Sequence, residues 1–303
     1  MESKCKYFSI TLLLVFCWTA VAQTPASNVV TNSVPPPSEA TKQFSPEEIQ
    51  IKIEKLRADA EKGNPEAQNY LGQLHVSGRY VPQDYEQSTR WFRKAAEKGS
   101  PAGQFNLGLA FEHGEGVTTN FASAVKWYEK SARQGYPPAQ YNLGLIYVRG
   151  DKVRKNANKG AALIQKAAWQ NDRLAQVGVA TLLLNGTGLK TNVVEAYAWM
   201  GVVAKDPGFK EDKRVQYHFS EIQRILNPEQ LAAADRRIEV LVAEIAKKKI
   251  KIRVKNNYNS GGVPHKWAPY SLHNYEELSK TSFETFPPGL DSLRDLYRDR
   301  SGG

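Results

Sequence analysis

Residues 104–135 read Gln104-Phe105-Asn106-Leu107-Gly108-Leu109-Ala110-Phe111-Glu112-His113-Gly114-Glu115-Gly116-Val117, then Thr118-Thr119-Asn120-Phe121-Ala122-Ser123-Ala124, and close on Trp127-Tyr128, Ser131-Ala132 and Gly135. Shifting by 36 residues reproduces the pattern without a gap. Gln68, Gln104, Gln140 and Gln176 share one column; Gly72, Gly108, Gly144 and Ala180 share the next. Gly78, Gly114, Gly150 and Gly186 form a third, and Asp84, Asn120, Asn156 and Asn192 a fourth. Trp91, Trp127, Leu163 and Trp199 follow, then Ala96, Ala132, Ala168 and Ala204. An internal repeat of 20 to 50 residues is the mark of a solenoid.

One copy explains itself as a helix pair. Ser100 offers an N-cap oxygen and Pro101 suits the first helical position. Gly103, Leu107, Ala110 and Phe111 recur at helical spacing. Gly114 and Gly116 end that helix and supply the turn. Asn120 caps a second helix whose apolar face is expected to be Ala124, Trp127, Tyr128 and Ser131, with Trp127 in the core. A pair of this kind cannot bury its apolar faces alone, so copies stack. The expected fold is all-α, a right-handed α/α superhelical solenoid of four 36-residue helix-pair repeats with helical caps at both ends.

These residues resemble the Sel-one-like repeat, a relative of the tetratricopeptide repeat. The likeness rests on the Ala-Gln start, Leu-Gly, Gly-x-Gly-Val, the capping Asp or Asn, Trp-Tyr, Ala-Ala and the closing Gly, over roughly residues 50 to 205. It implies a protein-binding scaffold of the secreted bacterial type. The fourth copy departs at Ala180 and at Asn171, which replaces the closing Gly.

The flanks complete the organisation. Residues 1–22 read as a signal peptide: Lys4 and Lys6, an apolar run from Ile10 to Ala20, and Ala20-Val21-Ala22 as a cleavage site. The chain is thus expected to be exported, periplasmic or extracellular, with cleavage near Ala22. Its only cysteines, Cys5 and Cys17, fall in that segment, so the remainder lacks disulfide and thiolate chemistry. Residues 23–43 read as a disordered Pro/Ser/Thr linker. Ser45-Pro46-Glu47-Glu48 is a capping box, with Phe44 placed to staple Ile49. It opens an N-terminal capping helix over 44–63, and residues 64–205 hold the four repeats. The register is lost after Ala204. Residues 206–250 are expected to form a C-terminal pair of capping helices, the second with an apolar line of Leu231, Ala234, Ile238, Leu241, Val242 and Ile245. Lys247, Lys248 and Lys249 are placed in its last turn. Residues 251–303 read as a basic, then aromatic-rich, largely irregular tail.

The net charge of +10 in an exported chain speaks against nucleic acid and leaves an anionic envelope component as a partner class beside protein. No later stretch is apolar enough for a membrane span. Ser123-x-x-Lys126 matches one signature of serine β-lactamases, but its companions are missing and position 123 is Gln87, Lys159 and Glu195 in other copies. The histidines His75, His113, His218, His265 and His273 show no metal-ligand spacing. No catalytic residue, metal or cofactor is assigned.

The expected binding face is the concave side of the first helices. It is assigned to Tyr70, Gln73, Asn106, Leu109, His113, Asn142, Leu145 and Arg149 as a peptide-binding groove. By resemblance to tetratricopeptide proteins, Asn106 and Asn142 would hold a peptide backbone, since an amide both donates and accepts. The partner is a protein or peptide; the chain's own tail, Val263 to Tyr275, is a further occupant.

Overall fold

The computed structural model describes residues 45–259, apart from Arg79 and Asp151. The expected signal peptide, the linker, the Phe44 staple and the tail from residue 260 lie outside the described residues. The chain divides into two units, Met1–Glu48 and Ile49–Gly303. Of the first, residues 45–48 are described, and they form the expected capping box. The Ser45 amide donates to Glu48 Oε2 at 2.8 Å, and the Glu48 amide to Ser45 Oγ at 3.2 Å.

Eleven helices are present among the described residues: α1 (Pro46–Glu61), α2 (Pro65–Ser77), α3 (Tyr85–Glu97), α4 (Pro101–His113), α5 (Phe121–Arg133), α6 (Pro137–Arg149), α7 (Ala157–Ala168), α8 (Arg173–Asn185), α9 (Val193–Ala204), α10 (Lys213–Arg224) and α11 (Pro228–Asn259). No strand is found among those residues. The four pairs α2/α3, α4/α5, α6/α7 and α8/α9 follow the 36-residue register and make an α-solenoid.

The columns are hydrogen-bonding positions. Asp84, Asn120, Asn156 and Asn192 cap the second helices, each accepting from the amide three residues on. Gly78, Gly114, Gly150 and Gly186 end the first helices in the left-handed conformation. The breaks fall at Gly63, Gly99, Gly135 and Asn171, with φ of 91, 88, 87 and 72°. Asn171 fills a glycine column because its short polar side chain tolerates that region better than most.

The Gln column locks each repeat onto the previous one. Gln68, Gln104, Gln140 and Gln176 donate from Nε2 to the carbonyls of Ala60, Ala96, Ala132 and Ala168, at 2.9, 3.3, 3.2 and 3.3 Å. In the two central repeats a second Gln completes the amide: Gln134 donates to Gln104 Oε1 and Gln170 to Gln140 Oε1, both at 2.8 Å. At the ends that position is Lys98 or Asp206. The Lys98 side chain lies over Gly63, and Asp206 pairs with Arg173. Gln68 Oε1 and Gln176 Oε1 are accordingly buried without a partner.

Glycine does two jobs here. A Cβ on Gly108 would sit 2.7 Å from the Tyr128 ring, so its absence admits α5 against α4. Gly116 and Gly188 bring each turn against the preceding second helix, where a Cβ would meet the Tyr85 or Ala157 carbonyl oxygen at 2.1 and 2.2 Å. In the third repeat Lys152 stands in this column and places its Nζ 4.5 Å above the Phe121 ring.

Three expectations need correcting. Trp127 is half-buried rather than core; its neighbour Tyr128 is the fully buried ring. The last helix does not end at Lys249 but continues to Asn259, so Lys247 to Lys249 lie in its interior, and Val242 is 46% exposed whereas Ala234, Ile238, Leu241 and Ile245 are buried. The register is also not wholly lost after Ala204, although α10 and α11 each dock on α9. Phe219 stacks on Tyr197 at 4.4 Å, and Ile238 fills the space above Gly201.

The register moreover resumes in α10. Asp212 caps through the Val215 amide at 3.2 Å, and Gln216 donates to the Ala204 carbonyl at 2.9 Å. These repeat the cap Asp172–Ala175 and the bond Gln176–Ala168, displaced by four inserted residues. Asp-x-x-(Ala/Val)-Gln was the sequence signal for this fifth first helix.

Candidate binding surface

The eight residues expected in the groove do not share one environment. Asn106, Leu109 and Leu145 are buried, with exposures of 5, 9 and 7%. Tyr70, Gln73, Asn142 and Arg149 are half-buried, and His113 is exposed.

The buried members belong to the seam between repeats. The Asn106 amide donates to Asn69 Oδ1 of the preceding repeat at 2.8 Å. In the next copy but one, the Tyr141 ring lies 3.1 Å from where a Gly178 Cβ would stand. The column 70/106/142/178 therefore turns towards its neighbour's column 69/105/141. Asn106 is committed within the stack, and Leu109 and Leu145 pack in its core. The cause is steric: the first helices of the first two repeats, α2 and α4, approach closely, which shuts this column at Asn106 while Tyr70 and Asn142 stay half-buried.

Asn142 is drawn into a polar junction. The Tyr128 hydroxyl, buried in the second repeat, donates to Glu112 Oε2 at 2.6 Å and also meets the Asn142 side chain of the third. Burial pushes the tyrosine hydroxyl well above its ordinary pKa, and the Glu112 charge pushes the same way while Asn142 opposes. A buried phenol needs a partner, and the register shows where it comes from. The Tyr128 column is otherwise Phe92, Ile164 and Met200, and the Glu112 column is otherwise Val76, Val148 and Leu184. Both turn polar in the same copy, a pairing legible in the sequence.

Ser123, from the Ser-x-x-Lys match, is an N-cap recipient: its amide donates to Asn120 Oδ1 at 2.9 Å. Gln87, Lys159 and Glu195 do the same at their caps. His75 Nδ1 lies 3.3 Å from the Pro82 carbonyl oxygen. Among the described residues no cluster of His, Cys, Asp or Glu is arranged to hold a metal ion, and no helix is long and apolar enough to cross a membrane.

Comparison with known proteins agrees with this geometry. The Sel1 repeat matches four times, at residues 65–100, 101–136, 137–172 and 173–201. No curated protein matches the chain. Among solved structures, the chain is similar to a Sel1 repeat protein from Oxalobacter formigenes, with 29% identity and a TM-score of 0.50, over 57% of this chain and 49% of that one. It is also similar to c5321, described as a protective antigen present in uropathogenic Escherichia coli strains displaying an SLR fold, with 24% identity, a TM-score of 0.41 and coverage of 70% and 52%. A putative Sel1 repeat protein from Klebsiella pneumoniae subsp. pneumoniae matches at 23% identity and a TM-score of 0.39, covering 58% and 86%. The chain thus spans about half the length of the first two. Sel1 repeats typically mediate protein–protein interaction and are generally non-catalytic. The 36-residue pairs, the hydrogen bonds their register fixes and the four matches of the family model converge: residues 65–201 of this chain are an array of Sel1 repeats.

Proposed function

We propose that this chain is an exported, non-enzymatic scaffold that binds a protein or peptide partner along the inner side of its first helices. Four contiguous Sel1 repeats carry the reading. Stacked helix pairs give an extended surface, and the columns identified above as caps and locks leave few residues over for any other task. On the inner side, Tyr70, Gln73, His113 and Arg149 keep some accessible surface; with Asn106 committed to Asn69, these four carry the proposed contacts.

The test is site-specific photo-crosslinking in the native host, with the probe at position 73 or 113 and, as a control, at position 102. Expected are adducts of one defined mass at the first two positions. Adducts distributed evenly over all three, or none, overturn the assignment of the face. Export is tested separately by sequencing the amino terminus of the purified protein. A start near Gln23 supports it, and an intact Met1 refutes it.

A further inference from the structure

Charge is spread unevenly along this chain. Residues 1–115 hold twelve Lys and Arg against thirteen Asp and Glu, and residues 172–303 hold twenty against sixteen. Between them, residues 116–171 hold nine against two, so this stretch supplies +7 of the total of +10. It comprises α5, α6, the turn after α6, and α7, and eight of its nine cations lie outside α6.

The cations lie on elements linked by side-chain contacts, Glu129–Tyr147–Lys159 between α5, α6 and α7 and Lys152–Phe121 between the turn and α5. Lys126, Lys130 and Arg133 are exposed on α5 at spacings of four and three, which is a single stripe. Lys155 and Lys166 are exposed on and before α7. The acid Glu129 is already engaged: the Tyr147 hydroxyl donates to its Oε1 at 2.9 Å and itself accepts from Lys159 Nζ at 2.6 Å. Among the described residues no ion pair engages Lys126, Lys130, Arg133, Lys155 or Lys166. From residue 173 onward pairing is common, as in Arg173–Asp206, Lys205–Asp235 and Arg237–Glu195. A surface that merely keeps a protein soluble mixes both signs, whereas this one concentrates self-repulsion on a few elements.

Its aromatic rings narrow the partner. Lys130 stands 3.8 Å above the Trp127 ring, Lys152 stands 4.5 Å above Phe121 and Lys159 stands 3.8 Å above Tyr147. Those faces are occupied, so they are not platforms on which bases stack. None of the exposed large hydrophobic residues (Ile51, Tyr80, Tyr85, Tyr217, Val240 and Val242) lies in this stretch, so nothing there inserts into a bilayer. Single point charges on flexible stems suit carboxylates presented by an extended chain.

We infer that the face formed by α5, the turn at residues 150–156 and α7 docks an acidic, Asp/Glu-rich segment of a partner protein. The inference rests on the scaffold reading above and adds the chemistry of the partner and a second surface on which it is held.

The experiment titrates the full chain with a fluorescent Glu/Asp-rich peptide, a Ser/Gly peptide of equal length, phosphatidylglycerol vesicles and duplex DNA. The triple variant Lys126→Glu, Lys130→Glu, Lys166→Glu is compared with an equal charge change elsewhere, Lys62→Glu, Lys213→Glu, Lys247→Glu, after circular dichroism shows both folded. Expected is saturable binding of the acidic peptide that weakens with salt and falls roughly tenfold or more in the first variant only. No binding of that peptide, equal losses in both variants, or tighter retention of vesicles or DNA overturns the inference. Crosslinked capture of a protein partner that persists in the first variant also sinks it while leaving the scaffold reading intact. Absence of capture by the wild-type chain sinks the scaffold reading instead.

Discussion

Helices α5 and α9 occupy the same place in their repeats and present opposite outer faces. In α5 the buried residues are Ala124, Tyr128, Ser131 and Ala132, a single stripe, while Lys126 and Lys130 face solvent. In α9 every residue from Ala196 to Ala204 is buried. Ala198 replaces Lys126, Gly201 replaces Glu129 and Val202 replaces Lys130 in register. An amphipathic helix has one buried side, whereas a helix apolar all round must be covered on both. The cover on α9 is α11: Ile238 sits above Gly201, Arg237 reaches Glu195 at 2.9 Å and Lys205 reaches Asp235 at 3.8 Å. Further on, Lys248 stands 3.4 Å above Trp169, which itself meets Trp199 edge-on at 4.9 Å. The solenoid therefore ends where its outer helix becomes apolar, and its middle stays open where that helix is charged.

The largest expected effect breaks this cover. Ile238→Ala should destabilise the protein by about 2 to 5 kcal/mol, the range for large-to-small changes in a core, while the exposed Val242→Ala should stay within about 0.5 kcal/mol. Urea melts of both variants check the seat of α11. Equal losses would mean that α11 is not packed on α9 as described.

The junction between the central and the last repeat should respond to pH. Asp172 caps α8 in a column otherwise filled by Asn64, Ser100 and Tyr136. Burial raises its pKa from 3.8 to about 6, with the Ala175 amide and the Arg173 charge working the other way. A folded pKa above the unfolded one means that folding favours the protonated acid. Its stabilising contribution is full below pH 4 and is lost as pH rises through about 6, an effect on the order of 3 kcal/mol. Asp172→Asn keeps a capping oxygen and removes the titration, so melts from pH 4 to 7.5 should lose this component of their slope. A slope identical to wild type would show that Asp172 is not the group responsible.

In the second repeat, Tyr128→Phe should cost about 1 to 3 kcal/mol, because it leaves the Glu112 carboxylate short of a donor. Adding Glu112→Val rebuilds the apolar pair found in the other copies and should restore much of the loss. A double variant no better than the single one would argue against direct coupling of the two side chains.

The smallest expected effect is a gain. Lys98→Gln places at the first repeat the residue that completes the amide lock in the second and third, and should stabilise by about 0.5 to 1.5 kcal/mol by giving Gln68 Oε1 a donor. Thermal melts that show no rise would indicate that this oxygen is already satisfied by other means.

The period of 36 was enough to place every helix of the four repeats, because caps, positive-φ turns and the Gln lock are local requirements that recur wherever the unit recurs. Residue covariation within the register also held the Tyr128–Glu112 bond, and the apolar surround of α9 announced a cover. Other features depended on tertiary structure. That Asn106 is spent on Asn69, and that Trp127 yields the core to Tyr128, follows from how closely neighbouring helices approach, a distance that no residue pattern states. That α10 and α11 both settle on α9 follows from the same cause. Spacing along the chain fixes which face a residue occupies, and only the packing of neighbouring helices decides whether that face is open, shut or covered.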